Sequence, residues 1–488
     1  SKADRELFIE IPAEDKGPND KDMIAKLQVC LYGTRDAAFQ WGERVASQLE
    51  ANGFTRGKAF PSIYRHEQKN SMTMVHGDDY LCSGPEPALL ELRQKLSESF
   101  EIKSVLVGEG EHLEKETRIL NRLIRVTEAG WEIEADPRHA ELIIKEMNLE
   151  KSKGQTTPGV DEPAGDEDKE IVDWRATQFR SVAARANYLA LDRPDLQFAV
   201  KELCRSMAKP TEESWRKLIR LTKYLIHRPR LILHYRWQDP VSEMTTYSDA
   251  NWAGCLKSRK SVSGGVIMLG GHPLRSWSKT QTNIALSSAE SEFYATLKGV
   301  QDSFGMSAMG RELSQDLKIR LLVDASAALG VAQRQGTGKI RHLDTGALWL
   351  QEQELRKARV MNKVNGSHNF IDIPTKNVSI EILEKHIDGM DMEFRDGRAE
   401  KAVQLHLLQR RLRQVQAEVR GLRQANGKRR NDWPNHDEDI ETWLEDPEEA
   451  LNKIECKMDK MIDEAVTSWE RKLCRQEGAT PKWLELSK

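Results

Sequence analysis

Tyr247-Ser248-Asp249-Ala250-Asn251-Trp252-Ala253-Gly254 carries an acid within a strand-like run that Ala253-Gly254 brings to a close. A new pattern starts just before it, near Met244. Strands are predicted over Thr245–Ala250, Ser261–Leu269 and Pro273–Ser278, then a helix over Ser288–Gln301 and a strand over Ile319–Asp324. A helix, a strand over Arg359–Val364 and a last helix complete the block. Three strands followed by alternating helices and strands imply a mixed sheet flanked by helices.

Within this block four acids stand where a strand ends or a helix begins. Asp249 lies on the first strand, Glu292 in the first turns of the helix opened by Ser287-Ser288, Asp324 at the end of Ile319–Val323, and Asp372 just before the last helix. Acids in such places can converge on one point. Converged carboxylates repel and raise one another's pKa, a cost that divalent cations remove. Two Mg²⁺ ions roughly 4 Å apart can bind the attacking water and the leaving oxygen of a phosphodiester, and hard oxygen ligands suit Mg²⁺. The chain holds 77 Asp and Glu, so position alone leaves open four ordinary surface acids.

The surrounding motifs narrow the choice. Tyr247–Gly254, Ser263-Gly264-Gly265, Trp277-Ser278-Lys279-Thr280-Gln281 and Ser287-Ser288-Ala289-Glu290-Ser291-Glu292-Phe293-Tyr294-Ala295 follow one another in order. So do Val323-Asp324-Ala325-Ser326, Lys339-Ile340-Arg341-His342-Leu343-Asp344 and Ile371-Asp372-Ile373-Pro374-Thr375-Lys376. This series resembles the ribonuclease H domain of copia-type retrotransposon Pol polyproteins. The resemblance implies catalytic, metal-binding carboxylates at Asp249, Glu292, Asp324 and Asp372, with Glu292 preferred over Glu290. It implies two Mg²⁺ ions, with Mn²⁺ as a substitute, and an RNA–DNA hybrid as partner. Ala325 stands where the family usually has Asn, and His368 where it usually has an acid; neither removes a ligand.

Upstream, Leu31-Tyr32-Gly33-Thr34-Arg35-Asp36-Ala37-Ala38-Phe39-Gln40-Trp41 and Val75-His76-Gly77-Asp78-Asp79 are similar to blocks of the family's reverse transcriptase, as are Phe179-Arg180-Ser181 and Arg193-Pro194-Asp195. Two apolar runs around the His76–Asp79 tip read as a β-hairpin. The resemblance makes Asp78 and Asp79 polymerase metal ligands. The family's third aspartate belongs upstream of the segment matching Glu6–Ile9, and the hairpin's usual aromatic and Val are His76 and Gly77, so an incomplete polymerase is expected. The competing expectation is a catalytically inactive or co-opted remnant that binds nucleic acid or protein.

The expected fold is therefore α+β, mixed α/β. It comprises a partial, palm/thumb-like reverse transcriptase over 1–150, an acidic linker over 151–172 and a helical connection over 173–240. A ribonuclease H-like five-stranded mixed sheet with helices follows over 241–380, and a charged helical tail over 381–488. In the connection, Tyr188, Leu191, Phe198, Val200 and Leu203 suggest one buried face, and Trp215, Leu218, Leu221 and Leu225 another.

In the tail, Leu405, Leu408, Leu412, Val415, Val419 and Leu422 step by 3 and 4, a short heptad seam over 405–422 fitted for self-association. The nearby arginines read first as a solvated face and second as a phosphate-contacting one. Leu343-Asp344-Thr345-Gly346-Ala347 resembles an aspartic-protease signature, but the helical run after it is the wrong context.

Bulk properties agree with this reading. The net charge of −3 excludes a whole-chain basic excess, so nucleic-acid contact has to rest on local patches or metal ions. The six cysteines form no CxxC pair and no zinc-ligand spacing, which points to a reducing compartment. No run approaches the roughly 18 apolar residues of a membrane span. An intracellular place is expected, either the cytoplasm (a virus-like particle) or the nucleus. The Ser-Lys-Ala-Asp start reads as the middle of something longer.

Overall fold

A computed structural model describes residues 6–10, 24–30, 37–161, 169–255, 257–334, 336, 349–353, 360–363, 371–399 and 402. Several sequence features fall outside these residues: the block over 31–36, the Lys339–Asp344 motif with the protease-like run, His368, the 405–422 seam and the basic cluster of the tail. The chain divides into two compact units, residues 1–106 with 304–317 and residues 107–303 with 318–488.

In the first unit β1 (Phe8–Glu10) pairs antiparallel with β2 (Ile24–Lys26). Helix α1 (Ala37–Ala51) turns Val45, Ala46 and Leu49 inward. Strands β3 (Thr55–Arg56), β4 (Ile63–His66), β5 (Ser71–His76) and β6 (Asp79–Ser83) form a sequential antiparallel sheet. Helix α2 (Glu86–Ser97) adds Leu92 and Leu96 to a core with Val45, Leu49, Phe54 and Tyr64. The expected hairpin is β5–β6, in register from Met72↔Ser83 to His76↔Asp79. Gly77, at φ 60°, is the first of its two turn residues, the position that a type II′ turn reserves for glycine.

The second unit holds two five-stranded sheets. Strands β7 (Glu116–Ile119), β8 (Arg122–Thr127) and β9 (Gly130–Ala135) form a meander. Helices α3 (Arg138–Glu146), α4 (Asp173–Leu189), α5 (Gln197–Arg205) and α6 (Glu212–His227) follow. Strand β10 (Arg230–Arg236) pairs with β9, and later with the last described strand, β16 (Met392–Arg395).

The other sheet comprises β11 (Glu243–Asn251), β12 (Val262–Leu269), β13 (His272–Thr280), β14 (Lys318–Val323) and β15 (Val360–Lys363). Helix α7 (Ser288–Glu312) lies between β13 and β14 in sequence, and α8 (Ser326–Gln333) follows β14. Helix α9 (Ile380–Gly389) and β16 (Met392–Arg395) end the described elements. Strand order is β13-β12-β11-β14-β15: the first three are antiparallel neighbours, and β14 and β15 join parallel. This is the mixed five-stranded sheet that the pattern after Met244 predicts.

One core joins the helical layer to this sheet. Phe179, Val182, Leu189, Leu203, Leu218, Leu221 and Leu225 pack with Val266 and Met268 of β12 and with Ile373, Leu383 and Ile387. The face anticipated in α6 is borne out. The other is borne out at Val200 and Leu203, each 1% exposed, and fails at Leu191, which is 63% exposed. Helix α4 ends at a C-cap on Ala190, so Leu191 lies past the last turn and the 3.6-residue period no longer applies to it. Among the described residues no helix is long and apolar enough to cross a membrane.

Candidate metal centre

Sheet register brings the first two acids of the site together. Strand β14 runs parallel to β11 with Tyr247 opposite Leu322. Two residues farther along each chain stand Asp249 and Asp324, and adjacent strands lie only about 4.8 Å apart. Asp324 falls one residue beyond the end of β14, which frees its carboxylate from the pleat.

The third acid depends on how α7 starts. Ser287 Oγ accepts a hydrogen bond from the Glu290 N–H (3.2 Å), and Glu290 Oε2 accepts one from the Leu286 N–H (2.9 Å). Reciprocal bonds of this kind cap a helix, so Glu290, 1% exposed, serves the helix terminus. Glu292, two residues on and 8% exposed, presents its carboxylate to Asp249 and Asp324. One oxygen from each of Asp249, Glu292 and Asp324 lies within 4.8 Å of the others. This carboxylate cluster is capable of coordinating a divalent cation.

Asp372 stands outside that triad. Its Oδ1 meets Lys376 Nζ at 2.7 Å, in a turn where its carbonyl accepts the N–H groups of Thr375 (3.2 Å) and Lys376 (3.1 Å). The i, i+4 spacing of Asp372 and Lys376 on this helical turn makes the pairing local. Asp372 still acts on the triad through its charge, as one of the groups that raise Asp249.

The electrostatics follow from burial and crowding. Burial pushes the Asp249 carboxyl up to about 6; the Thr375 hydrogen bond opposes the rise, and the charges of Asp324 and Asp372 add to it. Glu292 is pushed up to about 9, first by burial and then by the charges of Asp249 and Asp324, against a hydrogen bond from the Ala250 backbone. Burial disfavours the Lys376 ammonium, but the Asp372 hydrogen bond and the nearby carboxylates outweigh it and raise its pKa.

The other predicted pair lies in the first unit. Asp78 and Asp79 sit at the tip of the β5–β6 hairpin and are both exposed. Trp41 Nε1 donates to the Gly77 carbonyl at 2.7 Å and ties that tip to α1. Among the described residues, no third carboxylate, His or Cys joins these two in a cluster that could hold a metal.

Three residues gain roles that their motifs alone did not reveal. Thr375 Oγ1 donates to Asp249 Oδ2 at 2.8 Å, and Lys376 holds Asp372. Gly264 lies opposite Asp249 in the β11–β12 register. The spacing of Thr375 and Lys376 from Asp372 was a legible signal, because three and four residues is one helical turn.

No family model matches the chain. The retrovirus-related Pol polyprotein from transposon RE1 of Arabidopsis thaliana is 29% identical over 292 residues, 56% of this chain and 18% of that protein. The retrovirus-related Pol polyprotein from transposon TNT 1-94 of Nicotiana tabacum is 24% identical over 404 residues, 79% of this chain and 30% of that protein. The chain thus spans less than a third of the length of these relatives. Among solved structures, a foamy viral protease-reverse transcriptase in complex with dsDNA covers 70% of this chain and 61% of its own, at 13% identity and a TM-score of 0.43. In motif order, strand order and acidic triad alike, the chain is similar to the retrovirus-related Pol polyproteins of transposons.

Proposed function

We propose that the second unit is a ribonuclease H-type endonuclease that hydrolyses the RNA strand of RNA–DNA hybrids with two Mg²⁺ ions, or Mn²⁺ in their place. The observation that carries this reading is the convergence of Asp249, Glu292 and Asp324 within 4.8 Å. The donor set fits the ions: all are hard oxygens, and their mutual repulsion is the kind that a divalent cation relieves. Bound there, the cations supply Lewis acidity to the attacking water and neutralise charge on the phosphodiester.

The protein's own groups hold the geometry. Asp249, Glu292 and Asp324 furnish the ligand oxygens, with Asp372 as the proposed fourth. Water attacks phosphorus in line, the P–O3′ bond breaks, and the products carry a 3′-hydroxyl and a 5′-phosphate. Recognition rests on hybrid shape and 2′-hydroxyl contacts, as is general for double-stranded substrates containing RNA.

The polymerase half does not extend a primer on this reading, since Asp78 and Asp79 lack a third ligand among the described residues. Incorporation of dNTPs on a primed template would refute that part. The nuclease is tested by Mg²⁺-dependent cleavage of an end-labelled hybrid, with Asp249→Asn as control. Cleavage by the native chain alone supports the reading, and equal cleavage by both rejects the site. Cleavage by neither favours a non-catalytic binding role.

A further inference from the structure

We propose that Thr375 is a positioning residue for Asp249, seated by the glycine at 264. The proposal rests on the metal-centre reading above and concerns how this chain prepares its first ligand.

Asp249 and Gly264 face each other across β11 and β12. A β-carbon built on Gly264 would stand 2.5 Å from Thr375 Cγ2 and 3.1 Å from Pro374 Cγ. Any larger residue there would push the Pro374-Thr375 turn off the sheet. With glycine the turn settles on the strand, and Thr375 is fully buried. Its hydroxyl then lies 2.8 Å from Asp249 Oδ2.

The hydroxyl has one proton and three acceptors in reach: Asp249 Oδ2, the Ile371 carbonyl at 3.1 Å and the Asp372 carbonyl at 3.2 Å. The carboxylate is the shortest contact, and a charged acceptor makes the stronger bond. Pinning one oxygen restricts rotation of the carboxylate and so fixes where the other can point. Partners that orient a ligand in this way are worth about 10–100-fold in metal affinity or activity. The turn also presents Asp372 and Lys376, so Gly264 governs the seating of the whole Asp372–Lys376 segment.

The experiment measures Mn²⁺ binding to the full chain by electron paramagnetic resonance, beside cleavage of the hybrid across a Mg²⁺ titration. Thr375→Val keeps the shape and removes the hydroxyl; it is expected to weaken Mn²⁺ binding by about 10–100-fold and to raise the half-saturating Mg²⁺ in step. Thr375→Ser restores the hydroxyl and should stay within about threefold of the native chain, well inside that effect. Gly264→Ala, which displaces the turn and leaves the hydroxyl intact, should weaken binding by at least about tenfold.

Thermal melts identify the variants that still fold, and either Thr375→Val or Gly264→Ala suffices. Native-like Mn²⁺ binding by a folded Thr375→Val overturns the proposal. So does a Thr375→Ser as weak as Thr375→Val, which would mean that a hydroxyl at this position is not what holds Asp249. A native chain that binds Mn²⁺ no better than Asp249→Asn defeats the metal-centre reading itself, and this proposal with it.

Discussion

Replacing Asp195 by Asn strips the carboxylate from a guanidinium that has no access to water. Arg193 is 1% exposed, and its Nε and Nη2 meet Asp195 Oδ1 at 2.9 Å and Oδ2 at 2.7 Å. Asp195 Oδ2 also accepts the Tyr224 hydroxyl at 2.8 Å, and Arg193 donates to the carbonyls of Arg228 (3.0 Å) and Pro229 (3.3 Å). The Asn side chain offers one acceptor where two oxygens accepted three bonds, and its amide turns an N–H toward existing donors. Breaking a buried ion pair from one side costs about 3–5 kcal/mol. At roughly 2–4 °C per kcal/mol for a unit of this size, Tm should fall by about 6–20 °C.

Calorimetry of the native chain and Asp195→Asn measures the drop. Arg193→Met/Asp195→Leu/Tyr224→Phe removes the polar cluster together, and replacing a buried pair by apolar groups is often neutral. It should recover at least about half of the loss, the carbonyls of Arg228 and Pro229 accounting for the remainder. A single variant that shifts Tm by less than about 3 °C, or a triple variant no better than the single one, would refute the reasoning.

Three further outcomes are expected. Glu292→Gln removes an acid that burial and two neighbouring carboxylates force to keep a proton it would give up on unfolding, so in EDTA at pH 7 it should be more stable by about 0.5–2 kcal/mol, while losing hybrid cleavage; Glu290→Ala, which removes a helix cap, should instead lose about 0.5–2 kcal/mol and keep cleavage. Acidification from pH 7 to pH 2, followed by calorimetry, should withdraw the contributions of His139 and Glu132 in turn, while Asp249 and Glu292, whose pKa values are raised on folding, favour the fold as pH falls. Burial, reinforced by Arg138 and Arg185, pushes the His139 imidazole down to about 3. Burial opposes ionisation of Glu132, but Arg395 and Arg125 outweigh it and hold the carboxyl at about 2. Both folded pKa values lie below the unfolded ones, so both contributions are intact above roughly pH 6.5 and 4.3 respectively and are lost as pH falls toward the folded values. Measured as the difference from the native chain, His139→Phe should remove the loss between about pH 6.5 and 3 and leave that of Glu132. Gly265→Ala should destabilise by about 1–3 kcal/mol in urea unfolding, because the Trp277 indole lies where the new β-carbon would go.

Much of the fold was legible because the period of a side-chain pattern follows the local backbone. The run after Met244 alternates or steps as each element requires, and strands β11 to β15 fall within a few residues of their predicted spans. The β5–β6 hairpin was legible for the same reason, since Gly77 marks its turn. Leu191 was misread because periodicity does not announce where a helix stops; the C-cap on Ala190 does.

The site divides along the same line. Asp249, Glu292 and Asp324 could be named in the sequence because each stands in a motif of the resembled ribonuclease H domain, where position alone left ordinary surface acids open, and the cap made by Ser287 and Glu290 explains why the glutamate two residues later is the one that faces the cluster. Other features depend on segments far apart in the chain. Strand β10 joins β9 on one side and β16 on the other, Arg230 pairing with Arg395. Asp372 pairs with Lys376, and Thr375 reaches Asp249 from 126 residues away in sequence, beside a glycine on β12. The sequence by itself determined which elements form and which acids they carry, because capping and side-chain period are local. Tertiary structure alone decided which strands became neighbours and which oxygens met, because those depend on close packing between surfaces that no local pattern describes.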